Sequence, residues 1–224
     1  YVISCKGGIT MKGLLTKDFL TIRKKYGIPR VVMDIFIIIA LMFVLKGTGA
    51  IYISFLLIPI EVMSMVMSLA TCDQQWKWGK YAVSLPVTKA QIVKSRYTFA
   101  VIAACVGFLV SLAVNTVSYF CYPKYEYGFY LFVAAASLAI TLLFLSFVLP
   151  SNYSLGENAG FAVMIILVVL LIVLGVWSNM TGNAIMRFVV DNFDMCLLIF
   201  FGATVFIGIL SCTLSIWLFR RKYI

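Results

Sequence analysis

The sequence predicts an all-α integral membrane protein with six transmembrane helices and both termini on the cytoplasmic side. Three observations carry that expectation. Of 224 residues, 63% are hydrophobic and 12% charged, about half the charged share of an ordinary globular domain. The apolar residues gather into blocks at about 31 to 45, 51 to 71, 98 to 119, 129 to 149, 160 to 177 and 195 to 219, as they must if each block crosses hydrocarbon. The basic residues then sort by side. One side holds Lys6, Lys12, Lys17, Arg23, Lys24, Lys25, Arg30, Lys77, Lys80, Lys89, Lys94, Arg96, Arg220, Arg221 and Lys222, the other only Lys46, Lys124 and Arg187. By the positive-inside rule the crowded side is cytoplasmic. The net charge of +10 is therefore a topology signal that suits membrane lipids, and nucleic acid is not an expected partner. Six spans leave no room for a separate soluble domain of ~100 residues.

Residues 1 to 10 carry no periodic pattern and precede a Met-Lys pair. They are expected to be an unstructured extension of translated upstream sequence, with Met11 the initiator and 11 to 224 a single transmembrane domain. From Met11, the residues Leu15, Phe19, Ile22 and Tyr26 recur at helical spacing while Lys12, Lys17, Asp18, Thr21, Lys24 and Lys25 fill the remaining surface. This predicts an amphipathic helix lying in the cytoplasmic interface, or one packing on a partner. Gly27 and Pro29 end it.

Span one offers only fifteen uninterrupted positions, Val31 to Leu45, short of the ~20 a bilayer needs. Arg30 and Lys46 can snorkel outward, and Asp34 stands one helical turn from Arg30, suited to an i, i+4 ion pair. Lys46-Gly47-Thr48-Gly49 predicts a tight turn into span two. There Pro59 predicts a break, and Glu61 is costly at mid-membrane unless protonated, paired or facing a cavity, which makes it the candidate residue of a translocation path. In span three, Ala103, Gly107 and Ser111 form a small-residue row that permits close helix approach. Gly156 and Gly160 have the same spacing at a loop edge and read as a helix start.

The inventory excludes much chemistry. Histidine is absent and the six cysteines include no C-x-x-C pair, so neither a metal site nor a disulfide framework follows. Gly8 and Gly13 have phosphate-loop spacing, but Leu14 stands where lysine is required; the chain does not hydrolyse ATP alone. The dispersed carboxylates form no catalytic pair. No cofactor is expected on this chain.

The informative stretch is the cytoplasmic loop 72 to 97. Thr88 followed by Gln91 is a capping-box pattern, Pro86 fixes the approach, and Ala90, Ile92 and Val93 supply an apolar surface among Lys89, Lys94 and Arg96. A short cytoplasmic helix is predicted there, between spans two and three. Trp76, Trp78 and Tyr81 suit a headgroup level, so an ordinary interfacial loop is the competing reading.

With its amphipathic start, its six spans and the run from Trp76 to Tyr97 around Ser84-Leu85-Pro86-Val87, the chain resembles the membrane subunits of type-2 ATP-binding-cassette exporters. The resemblance implies a permease subunit of the bacterial cytoplasmic membrane, forming a translocation path for amphipathic, peptide or drug-like cargo. It implies a homodimer, or a heterodimer with a sister permease, and a separate ATPase subunit that holds ATP and magnesium. It also implies that Leu85, Pro86, Val87, Thr88, Lys89, Gln91, Ile92 and Lys94 form the coupling contact with that ATPase. The nearly uncharged stretch 151 to 159 departs from the family pattern. Two other classes compete: a membrane anchor, sensor or immunity subunit that recruits an ATPase without transporting, and a secondary carrier, disfavoured because Glu61 is the single mid-membrane acid.

Overall fold

The structure, a computed structural model, describes residues 11–84, 87–180 and 192–222. The expected extension 1 to 10, the coupling residues Leu85 and Pro86, and the stretch 181–191 that carries Arg187 lie outside the described residues. The described part is helical. In chain order it comprises α1 (Met11–Lys25), α2 (Ile28–Leu45), α3 (Gly49–Gln75), α4 (Trp78–Ser84), α5 (Lys89–Cys121), α6 (Tyr127–Ser154), α7 (Glu157–Met180) and α8 (Phe193–Lys222). Six of these, α2, α3, α5, α6, α7 and α8, are long and apolar enough to cross a membrane. Each predicted block falls on one of them.

The spans are not equivalent. About half of the most apolar window is buried in α3 and α6, against none of it in α2, 6% in α7 and 11% in α8. The centre is therefore built by α3 and α6 with α5 against them: Val62, Met63, Val66 and Met67 pack on Phe99, Ala100 and Ala104 and on Phe144, Leu145 and Val148. In lipid such contacts are not driven by exclusion of water, so close packing and internal hydrogen bonds must hold the helices. The small row of α5 supplies the closeness. A Cβ at Gly107 would stand 3.1 Å from side-chain methyls of Ile58 and Val62.

Hydrogen bonds supply the rest. Ser111 donates to Ser54 Oγ at 2.9 Å, Asn115 Nδ2 donates to the same oxygen at 2.7 Å, and Ser137 donates to Ser111 Oγ at 3.1 Å, joining α3, α5 and α6. These side chains are buried. Nearer the other end, the Tyr97 hydroxyl sits 2.6 Å from Ser211 Oγ and 2.8 Å from Ser215 Oγ, while Ser211 donates to the Ser146 carbonyl at 2.6 Å. That links α5, α8 and α6.

Three expectations need correction. Pro59 does not break the second span. The chain widens into a π-helical turn at Ile53–Leu57 and continues as helix, so one extra residue accommodates the missing N–H and the proline ring without a kinked gap. The helix expected after Thr88 is not a short separate element. It is the first part of the 33-residue α5, which runs unbroken into the membrane; the short helix between spans two and three is α4, ten residues earlier. Finally, Asp18 does not lie on a solvated face but is 3% exposed, because α1 rests on the chain's own body through Leu14 and Asp18, with Leu15 and Ile22 against the central core. Lys12, Arg23, Lys24 and Lys25 do face outward.

Candidate functional site

The chemistry-bearing residues gather at the end of the bundle that holds α1, α4 and the start of α5. Thr88 opens α5 with the capping box read from its spacing: the Gln91 N–H donates to Thr88 Oγ1 at 3.2 Å and the Thr88 N–H donates to Gln91 Oε1 at 2.9 Å. Two amides that an uncapped helix would leave unpaired are thereby satisfied. Of the predicted coupling residues, Thr88, Gln91 and Lys94 are exposed, and Val87 and Lys89 are half-buried. Ile92 faces inward. It is 8% exposed and packs with Leu14, Ala82, Val93 and Phe219 in a small core of the chain itself. The helical period explains why: 88, 91 and 94 share the outer face that 92, 93 and 96 oppose.

Beneath that face lies an ion cluster that sequence reasoning missed. Lys17 Nζ on α1 donates to Asp73 Oδ1 at 2.6 Å and lies 3.4 Å from Asp18 Oδ1; Arg96 on α5 pairs with Asp73 through Nη2 and stands 3.5 Å from Asp18 through Nη1. Trp78 of α4 covers the Lys17 ammonium, 4.2 Å from ring centroid to nitrogen. Two carboxylates and two cations thus tie α1, α3, α4 and α5 at one point. Burial raises the Asp18 pKa above 3.8, the neighbouring Asp73 adds to the rise, and Arg96 and Lys17 oppose it. The signal in the sequence was the separation of opposite charges by loop and helix, which no local spacing reveals.

Glu61 is paired. Arg30 Nη2 donates to both of its carboxylate oxygens, at 3.0 and 3.1 Å, and the expected Arg30–Asp34 contact persists only as a longer 3.8 Å approach. The Arg30 and Glu61 side chains remain 41% and 25% exposed. They sit at the contact of α3 with α2, a helix that has no fully buried residue, where the Tyr26 hydroxyl also meets Ser64 Oγ at 2.8 Å. Among the described residues no group of His, Cys, Asp or Glu could hold a metal ion, and Cys72, Cys105, Cys121, Cys196 and Cys212 are free.

The link from α6 to α7 is only Leu155 and Gly156, because α6 continues through Pro150 to Ser154. Gly156 has φ +95°, a conformation in which a Cβ is strained.

No curated protein and no solved structure matches the chain. A family model described as ABC-2 family transporter protein matches residues 13–220, which takes in α2 to α7 whole, nearly all of α1 and α8, and the capped loop. The chain belongs to that family and is a membrane-spanning permease component of an ABC transporter.

Proposed function

We propose that the chain is one permease half of an ATP-driven exporter in the cell membrane, with both termini cytoplasmic and with a separate ATPase subunit docked on the outer face of the α5 start. The observation that carries this reading is the juxtaposition of an exposed, firmly capped helix end, Thr88, Gln91 and Lys94, with the ion cluster that ties the same end to α1, α3 and α4. A partner pressing on that end acts on several helices together, and nucleotide binding by the partner shifts the permease only through such differential contact. A second permease copy, identical or sister, covers the face of α2 and the half-exposed Arg30–Glu61 pair. A charge pair left against lipid is costly, whereas one at a subunit interface or beside a wet path is not. Amphipathic, peptide or drug-like cargo fits a path bounded by that pair and otherwise apolar helices.

The test is reconstitution with the cognate ATPase in vesicles. Lys94→Glu combined with Gln91→Ala should weaken ATPase recruitment about tenfold while membrane insertion stays normal. Thr88→Ala should weaken it partially, since loss of a cap costs ~1 kcal/mol. Ile92→Asp should instead lower the folded yield, because it places a charge in the Leu14–Phe219 core. Normal recruitment by the Lys94/Gln91 variant would remove the docking face. Recruitment of the ATPase without ATP-dependent cargo movement would favour the anchor reading.

A further inference from the structure

A cavity of about 480 Å³ opens beside the ion cluster, bounded by α1, α3, α4, α5, α6, the link Leu155–Gly156 and the end of α8. Its volume is that of a small-molecule site. Leu14, Val66 and Leu149 line part of it. Its charge is unbalanced. Asp18 and Asp73 are matched by Lys17 and Arg96, which leaves Lys77, Lys80 and Lys222 in the same lining as surplus cations. Among the described residues none of those three is paired with a carboxylate, and Lys222 reaches only the Tyr153 carbonyl at 3.3 Å.

Three surplus ammonium groups around a partly apolar recess describe a receptor for an anion that carries a hydrocarbon tail. The place agrees. The cavity lies at the end of the bundle where basic residues crowd the membrane boundary, and basic pockets between spans at such a boundary suit acidic lipid headgroups. We propose that this cavity binds the phosphate headgroup of an anionic phospholipid, with Lys77, Lys80 and Lys222 around the phosphate and the acyl chain leaving toward the bilayer. The lipid would bridge Lys77 and Lys80, at the start of α4, and Lys222, at the end of α8. This proposal does not require the ATPase or transport, so it stands or falls separately from the reading above.

The experiment is native mass spectrometry of the purified full chain in detergent, titrated with dioctanoyl phosphatidylglycerol, dioctanoyl phosphatidylcholine and inorganic phosphate. The wild-type chain should retain the glycerol lipid at least tenfold more strongly than the choline lipid, and a tenfold excess of phosphate should not displace it. The triple variant Lys77→Asn, Lys80→Gln, Lys222→Gln should lose about tenfold in phosphatidylglycerol affinity; asparagine is chosen at 77 because that residue has φ 51°. A control that removes equal charge outside the cavity, Lys12→Gln, Lys24→Gln, Lys25→Gln, should change affinity less than twofold. Ala70→Leu, which fills the cavity without altering charge, should lower affinity at least fivefold. Equal losses in the two triple variants, unchanged binding by Ala70→Leu, displacement by phosphate, or equal retention of the choline lipid would each overturn the assignment.

Discussion

Burial of Asp18 costs its ionised form hydration that Lys17 and Arg96 return only in part, so its carboxyl holds a proton more tightly in the folded chain than in the unfolded one. The contribution of this group to stability is therefore full below the unfolded value near 3.8 and is lost as pH rises through the higher folded value. Asp18→Asn keeps the shape and removes the titration. The thermal midpoint of the variant minus that of the wild-type chain, measured in detergent from about pH 4 to pH 7, should become more positive as pH rises. A flat difference would show that folding leaves the Asp18 titration unchanged, and a falling one that Lys17 and Arg96 outweigh burial; either would overturn the assignment. At this scale the sequence was legible where partners are close in the chain, as with Thr88 and Gln91. It was illegible where they are far apart: Lys17 and Asp73 are separated by 56 positions and Arg30 and Glu61 by 31, and no periodicity joins them.

Among the elements, the spans themselves were readable because hydrocarbon forces every backbone group into helical hydrogen bonds and so makes block length decisive. The ends of elements were less so. Whether a capped helix stops after two turns or runs on into the next apolar block depends on the absence of a breaker between Arg96 and Phe99, and α5 has none. The small row was read correctly as a contact surface, and it yields a stability prediction. Gly107→Leu must displace Ile58 or Val62, which a Cβ alone would already crowd, and overpacking of this kind costs typically 1–3 kcal/mol. The variant should show a lower thermal midpoint in detergent, and Gly107→Ala a smaller drop. An unchanged midpoint for Gly107→Leu would mean that α3 and α5 are not closely packed there.

At the scale of the whole molecule, the spans divide into a centre, α3 and α6 with α5 against them, and the outer helices α2, α7 and α8, whose apolar surface awaits lipid or a second copy. In the proposed assembly, a cytoplasm-active reporter fused after Ile224 and an export-active reporter near Met180 should both be active. Phe36→Cys on the outer face of α2, where Phe36 is 71% exposed, should crosslink to a second permease in membranes, while Phe206→Cys on α8 should not. Silence of both reporters would reverse the topology, and crosslinking through α8 alone would move the interface. The long α5 has a mechanical consequence. Its 33 residues make a rod of about 50 Å, against a hydrocarbon core near 30 Å, hinged by neither proline nor glycine pair along its length. A tilt of about 5° swings one end of such a rod by about 4 Å relative to the other. In the proposed assembly it would act as a lever, with the Gly107 contact as fulcrum: a small push at the Thr88 end would reappear, reversed in direction, at Cys121 at the other end of the helix.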